Sequence, residues 1–220
     1  MKIAVLGTGM VGVAIASRLV ECGHDVTMGA RDAANEKAQA WVQRTKRSAR
    51  AGTFRDAATA GEIVFNCTRG TGTLEALQQA GVAALKGKVL IDVSNPLDFS
   101  RGVPPTLTVS NTDSLGEQIQ RTYSDARVVK TLNTLTAPLM VNPRLLPGDH
   151  VNFLSGNDAA AKATAAQILR QFGWKDSELI DLGAIQAARG AEAWLLLWVS
   201  VMGALGTPMF NLNLTAAPQD

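Results

Sequence analysis

A three-layer α/β architecture is the fold class the sequence predicts: a doubly wound, mainly parallel sheet with a short C-terminal helical extension. Three observations predict it. Short β-branched runs alternate with longer alanine-rich stretches along the 220 residues, the pattern of strands joined by crossover helices. Lys2–Leu6 and Val89–Val93 are almost continuously apolar, as strands buried on both faces are. Finally, the first run passes through a glycine-rich turn directly into a helical pattern.

The elements then follow in order. Lys2–Leu6 is the first strand, and Val11–Cys22 is the helix that the turn opens. Asp25–Gly29 returns as a strand, and the alanine-rich, basic stretch Ala33–Arg50 is predicted helical. Ile63–Thr68, with its Ile-Val-Phe core, is a strand leading to a helix over Thr73–Ala84. After the strand Val89–Val93, the proline-rich stretch from Pro96 to Pro105 reads as a loop. A helix over Thr112–Arg121 leads to the strand Val128–Leu132. Val151–Ser155, the helix Asp158–Phe172 and the strand Leu179–Asp181 complete the sheet, and Ala184–Leu205 is a final helix. The length suits one dinucleotide-binding domain, residues 1–183, followed by a helical segment, residues 184–220.

Composition limits the function. Hydrophobic residues make up 46% and charged residues 18% of the chain, which describes a globular protein with a sizeable core. Lys+Arg 21 against Asp+Glu 19 is too balanced for a nucleic-acid binder that must neutralise many phosphates. Cys22 and Cys67 are in no CxxC or Cys/His cluster, and His24 and His150 are the only histidines, so no metal site is expected. Trp194 to Gly206 is nearly uncharged, but this stretch of about a dozen residues is short of the ~20 needed to cross a bilayer. A secretory leader would be interrupted by Gly7, Gly9 and Gly12. The expectation is a cytoplasmic protein that binds neither membrane nor nucleic acid.

Gly7-Thr8-Gly9-Met10-Val11-Gly12 is a GxGxxG that follows a strand and opens a helix, the context of the Rossmann-type dinucleotide fingerprint. Gly7 makes the tight turn, Gly9 lets the backbone approach a pyrophosphate, and Gly12 lets helix and strand pack closely. The helix N-terminus supplies amide donors and a positive dipole end. At the end of the second strand an NAD enzyme presents a carboxylate to the ribose, whereas this chain has Met28-Gly29-Ala30-Arg31. A guanidinium at Arg31 can clamp a 2′-phosphate in bidentate fashion, so NADP (NADPH) is the expected cofactor. Asp32, one residue on, is the competing ribose-binding carboxylate. Arg31 to Arg55 carries seven basic residues (Arg31, Lys37, Arg44, Lys46, Arg47, Arg50, Arg55) against Asp32 and Glu36; Arg44 to Arg55 reads as a solvated helix face.

These segments, together with Asp92-Val93-Ser94-Asn95-Pro96-Leu97 and Val128-Val129-Lys130-Thr131-Leu132-Asn133-Thr134, resemble the NADPH-dependent coenzyme F420 reductases and their bacterial relatives. They also resemble the oxidoreductase domain of the STEAP metalloreductases. The resemblance runs on through Leu154-Ser155-Gly156-Asn157-Asp158 and Asp181-Leu182-Gly183. It implies hydride transfer between NADPH and a flat acceptor, coenzyme F420 or a flavin, lying over the nicotinamide. By the same resemblance the phosphate turn maps onto Thr8, Gly9, Met10 and Val11, and the 2′-phosphate site onto Ala30 and Arg31. Thr68, Arg69 and the loop Asn133 to Ala137 map onto the nicotinamide end, and Asn95 is a further cofactor-binding candidate. Two positions depart from the pattern. A serine is common where Ala30 stands, and the deazaflavin enzymes resemble His-Thr-Ile-Pro where this chain has Asn133-Thr134-Leu135-Thr136. Asn133 matches relatives that reduce a flavin or have no assigned acceptor.

Direct hydride transfer between stacked rings demands positioning more than acid–base chemistry. No catalytic acid or base is therefore assigned, and Asn133 is expected to orient a carboxamide or ring carbonyl. His24 and His150 read as surface turn residues and Cys67 as a buried thiol. Arg69, at the carboxyl end of a strand, is a candidate cofactor or acceptor contact. Trp194 and Trp198 stand at i and i+4 of a helix apolar around most of its circumference, which must be buried. Burial in the core, or in a homodimer whose partner closes the acceptor cleft, would satisfy it. The alternatives are an imine- or pyrroline-carboxylate-type reductase, and a redox-sensing module that binds NADP without turnover.

Overall fold

The computed structural model describes residues 1–46 and 48–217. Arg47, within the expected basic helix, and 218–220, at the end of the C-terminal segment, lie outside the described residues. The strands are β1 (Lys2–Leu6), β2 (Asp25–Ala30), β3 (Ala49–Thr53), β4 (Ile63–Asn66), β5 (Val89–Asp92), β6 (Leu97–Asp98), β7 (Thr106–Leu107), β8 (Arg127–Thr131), β9 (Asn152–Ser155) and β10 (Leu179–Asp181). The helices are α1 (Met10–Glu21), α2 (Glu36–Thr45), α3 (Phe54–Ala60), α4 (Thr73–Ala80), α5 (Val82–Leu85), α6 (Leu115–Thr122), α7 (Ala137–Val141), α8 (Ala159–Phe172) and α9 (Ala188–Leu205).

Eight strands form one sheet in the order β10-β9-β8-β5-β4-β1-β2-β3. It is parallel from β3 to β8, while β9 pairs antiparallel to β8, with Thr131 opposite Leu154. β10 is parallel to β9. Alternating side chains feed two cores, because successive residues of a strand point to opposite faces. Ile3, Val5, Val26 and Met28 pack on one face with Ile15 and Leu19 of α1, Trp41 of α2 and Phe172 of α8. Ala4, Leu6, Val64 and Leu90 pack on the other with Ala57 of α3, Leu77 of α4 and Ile119 of α6.

Three expectations are corrected. The helix expected over Ala33–Arg50 ends at Thr45, and Ala49–Thr53 is an edge strand pairing with Val26–Ala30 of β2. Its small side chains give it little strand propensity, so its conformation comes from the ladder. The presumed single basic face is therefore divided: Arg44 is on α2, Arg50 on β3 and Arg55 on α3. The capping box Thr53–Asp56 starts α3, a helix for which no expectation was given. The Pro96–Pro105 loop contributes β6 to the hairpin β6–β7.

The histidines are the third correction, since both are buried. The His24 Nε2 and Gln171 Oε1 lie 2.6 Å apart. His150 bonds the Pro143 carbonyl through Nε2 at 2.9 Å, Asn211 donates to its Nδ1 at 2.9 Å, and its ring meets Trp174 edge-on. Each turn is covered by chain remote in sequence. Within the single chain, α9 is buried along one stripe, Ala188, Ala191, Glu192, Leu195 and Val199, and Leu196, Leu197 and Leu205 stand exposed. Beyond α9 the chain returns to the start of β9, where the Val151 amide donates to Leu212 O at 3.0 Å, and Phe210 stacks on Trp198.

Candidate cofactor and acceptor cleft

Strand order reverses between β1 and β4, and the crevice beyond their carboxyl ends is where open α/β sheets bind ligands. Two adjoining cavities open there. The smaller, about 280 Å³, is lined by Gly7, Thr8, Gly9, Ala30, Arg31, Asn35 and Phe54 among others. The larger, about 620 Å³, is lined by Val11, Gly70, Thr71, Val93, Ser94, Asn95 and Leu97 to Ser100. Cys67, Thr68 and Arg69 belong to both, so the two spaces meet at the end of β4.

The glycine turn fits a dinucleotide. The Gly7 amide donates to Gly29 O at 2.9 Å, and φ is +121° at Gly7. A Cβ at Gly7 would meet Cys67 O at 2.6 Å, and one at Gly12 would meet Gly7 O at 2.1 Å, so both glycines are required by the protein's own packing. At Gly9 a Cβ would meet nothing within 4 Å. Its bareness has no internal use, but it leaves room for a pyrophosphate. Gly9 is also the N-cap of α1, no side chain caps the helix, and its first turn has no acidic residue. The initial amides and the dipole are thereby left to an anion.

Arg31 and Asp32 are separated by local geometry. Asp32 Oδ1 accepts from the Ala34 amide at 2.8 Å, a turn that ties the carboxylate back to its own loop, and Asp32 does not line the cavity. Arg31 does line it, and among the described residues no carboxylate lies within 4.0 Å of its guanidinium. A phosphate is a suitable partner for such a group.

Behind the cleft a polar network crosses the strand ends. Thr68 Oγ1 donates to Asn66 Oδ1 at 2.7 Å, and Asn66 Nδ2 donates to Asp92 Oδ1 at 2.7 Å. The Lys130 ammonium reaches Asp92 and Glu192 at 2.7 Å each and donates to Ser94 O at 2.6 Å. Glu192 also accepts from the Leu115 and Gly116 amides at 2.8 and 2.9 Å. Burial alone would push the Lys130 ammonium down, but the two carboxylates outweigh it and hold its pKa above the ordinary value. Sequence reasoning passed over this triad. Its signal was a charge inside each of two apolar strands, Val128-Val129-Lys130 and Leu90-Ile91-Asp92, whose mutual pairing was not evident.

Asn133 and Asn95 make reciprocal contacts. Asn133 Nδ2 donates to Asn95 Oδ1 at 2.9 Å and to Ala191 O at 3.0 Å, and Asn95 Nδ2 donates to Asn133 O at 2.8 Å. Asn95 lines the larger cavity, whereas Asn133 is buried behind it and Ala137 is buried at the start of α7. The structure therefore joins Gly7–Gly9, Ala30, Arg31, Thr68, Arg69, Val11 and Asn95 in one cleft, with Met10 exposed at its edge. The Cys67 thiol is pushed up by burial and stays protonated.

An open parallel sheet with an uncapped helix end at its switch point defines the Rossmann-type class, and similarity to known proteins places the chain with its NADP-dependent oxidoreductases. The family described as NADP oxidoreductase, coenzyme F420-dependent, matches residues 2–96. A protein of Arthrobacter sp. FB24, provisionally named an F420-dependent NADP reductase, has a solved structure that is 50% identical, with a TM-score of 0.94, over 98% of this chain and 100% of that one. The chain belongs to this family. F420-dependent NADP reductase of Methanothermobacter marburgensis is 28% identical over 82% of this chain and 88% of its own length. Metalloreductase STEAP3 of Rattus norvegicus is 28% identical over 87% of this chain, which spans 36% of that longer protein. An imine reductase of Streptomyces aurantiacus shares the fold, at 20% identity and a TM-score of 0.67, and the chain covers 64% of it.

Proposed function

We propose that the protein transfers a hydride between NADP(H) and a small-molecule electron acceptor with a flavin-like or deazaflavin ring. The observation that carries this reading is the meeting of the two cavities at Cys67, Thr68 and Arg69. One holds the phosphate turn and Arg31. The other is a separate space within the ~300–1,000 Å³ range of ligand pockets. NADPH, when bound, supplies the hydride. The chain's residues position it: the amides after Gly9 hold the pyrophosphate, Arg31 the 2′-phosphate, and Asn95, fixed from behind by Asn133, faces the reacting end.

Arg31→Asp is expected to reverse the preference for NADPH over NADH, because the phosphate loses a charge-assisted contact worth ~1.5–3 kcal/mol, or about one to two decades in affinity. Calorimetric titration of both nucleotides checks it. An unchanged ranking would remove Arg31 from the site. Acceptor-dependent NADPH oxidation separates this enzyme from an NADP-binding sensor that does not turn over.

The reading includes a homodimer formed through α9, in the cytoplasm, where NADPH is available. Support comes from the apolar face bearing Leu196, Leu197 and Leu205. Asn133 to Ala191 O and Lys130 to Glu192 tie that helix to the cleft floor. No helix among the described residues is long and apolar enough to cross a membrane. Leu197→Glu is expected to yield monomers in sedimentation analysis, since it charges the centre of an apolar patch. A wild-type protein that sediments as a monomer would refute the dimer.

A further inference from the structure

We propose that Lys130 is a positioning residue for hydride transfer: it turns the Ser94–Asn95 peptide so that the Asn95 N–H becomes a main-chain donor for the carboxamide oxygen of the nicotinamide. The inference rests on the hydride-transfer reading above and adds the device that orients the reacting ring. The Lys130 and Asp92 side chains are both fully buried. The ammonium has three hydrogens and meets three acceptors, Asp92 Oδ2 and Glu192 Oε1 at 2.7 Å and Ser94 O at 2.6 Å. Asp92 Oδ1 in turn accepts from the Ser94 hydroxyl at 2.7 Å and from the Ser94 amide at 3.2 Å. The carbonyl, hydroxyl and amide of Ser94 are therefore all bonded to one ion pair. Turning the carbonyl away would leave a buried ammonium hydrogen without an acceptor, a costly state that holds the peptide in place.

The consequence falls on the next residue. The Ser94–Asn95 peptide is trans, so its C=O and its N–H point in opposite directions. With Ser94 O drawn inward to Lys130, the Asn95 N–H points away from the ion pair, and both residues line the larger cavity. Among the described residues this N–H meets no acceptor. The Asn95 side chain is engaged elsewhere, since its Oδ1 accepts from Asn133 Nδ2 and its Nδ2 donates to Asn133 O. The main-chain amide is therefore the donor left for a ligand. A carboxamide oxygen is a matching acceptor, and it stands on the ring carbon next to the hydride-bearing C4. A bond there fixes which face of the nicotinamide is turned to the acceptor. The C4 hydride leaves with its electron pair for the acceptor ring, so NADPH is oxidised and that ring is reduced by two electrons; Lys130 takes no part in the transfer itself.

The test uses the full chain, NADPH deuterated at C4 in either epimer, and FMN and coenzyme F420 as probe acceptors. Lys130→Met removes the bond to Ser94 O. Lys130→Met combined with Glu192→Gln removes it with one buried charge fewer, and serves if the single variant does not fold. The variant is expected to bind 2′-phospho-ADP-ribose, which lacks the nicotinamide, as tightly as wild type does. Its kcat is expected to fall between about ten- and a hundredfold, the cost of a misplaced reacting ring. Wild type should transfer deuterium from one epimer and retain it from the other, whereas the variant should transfer it from both. Arg189→Met is the control, because it breaks another tie between α9 and α6, the pair with Glu117, without touching Ser94. It is expected to lower stability and keep the stereospecificity. A folded variant without Lys130 that keeps its kcat and strict stereospecificity overturns the inference and leaves the hydride-transfer reading standing. A fall in kcat matched by Arg189→Met, with stereospecificity kept in both, shows a structural role only and also overturns it. A wild-type protein that binds NADPH but passes hydride to neither probe overturns both readings.

Discussion

Gly9→Val is expected to abolish dinucleotide binding while the protein remains folded. The backbone at Gly9 is extended, φ −78° and ψ −178°, a conformation β-branched residues adopt readily, and a Cβ there meets no protein atom within 4 Å. The added methyl groups enter only the space over the amides of α1. Losing two charge-assisted contacts of ~1.5–3 kcal/mol each corresponds to at least about a hundredfold in affinity. Gly12→Ala is the contrasting variant. Its Cβ would sit 2.1 Å from Gly7 O, so it is expected to damage the fold itself. Circular dichroism and thermal melting separate the two effects, and NADPH titration measures the loss. A folded Gly9→Val protein that binds NADPH as tightly as wild type would place the cofactor elsewhere.

Lys130→Met is expected to cost ~3–5 kcal/mol of stability, because it leaves two buried carboxylates facing each other without their cation. Methionine is close to lysine in volume, so the loss reports charge rather than a cavity. For a chain of this size the melting temperature should fall by on the order of 10 °C. Adding Glu192→Gln removes one of the opposed charges while keeping an acceptor for the α6 amides, and the double variant is expected to be more stable than Lys130→Met alone. A single-variant loss below about 1 kcal/mol would show that the triad contributes little.

The strands legible in the sequence were those whose character is intrinsic. Ile3, Ala4, Val5 and Leu6 are apolar on both faces because both faces are covered, so β1 announces itself. β3 does not. Ala49, Arg50, Ala51, Gly52 and Thr53 carry no apolar alternation, and they are extended because β2 offers its edge. The glycine turn and the position of Arg31 were legible because both are set by backbone and neighbouring residues: a turn, a helix start, a strand end. Asn133 was expected at the nicotinamide end, and it stands one layer behind Asn95. Its position depends on how β8, the Asn95 loop and α9 meet.

What the sequence by itself determined was therefore local: the alternation of strand and helix, the glycines whose spacing opens α1, and the guanidinium that ends β2. Each of these follows from a residue and its neighbours within a few positions. Only the tertiary structure decided what depends on remote chain. It reversed β9, covered His24 with Gln171 and His150 with Asn211, tied Asp32 away from the cleft that Arg31 enters, and closed Lys130 between Asp92 and Glu192. The reason is physical. Backbone preference is a property of short segments, whereas burial, charge pairing and the face a side chain presents are set by what the completed sheet and its helices bring into contact.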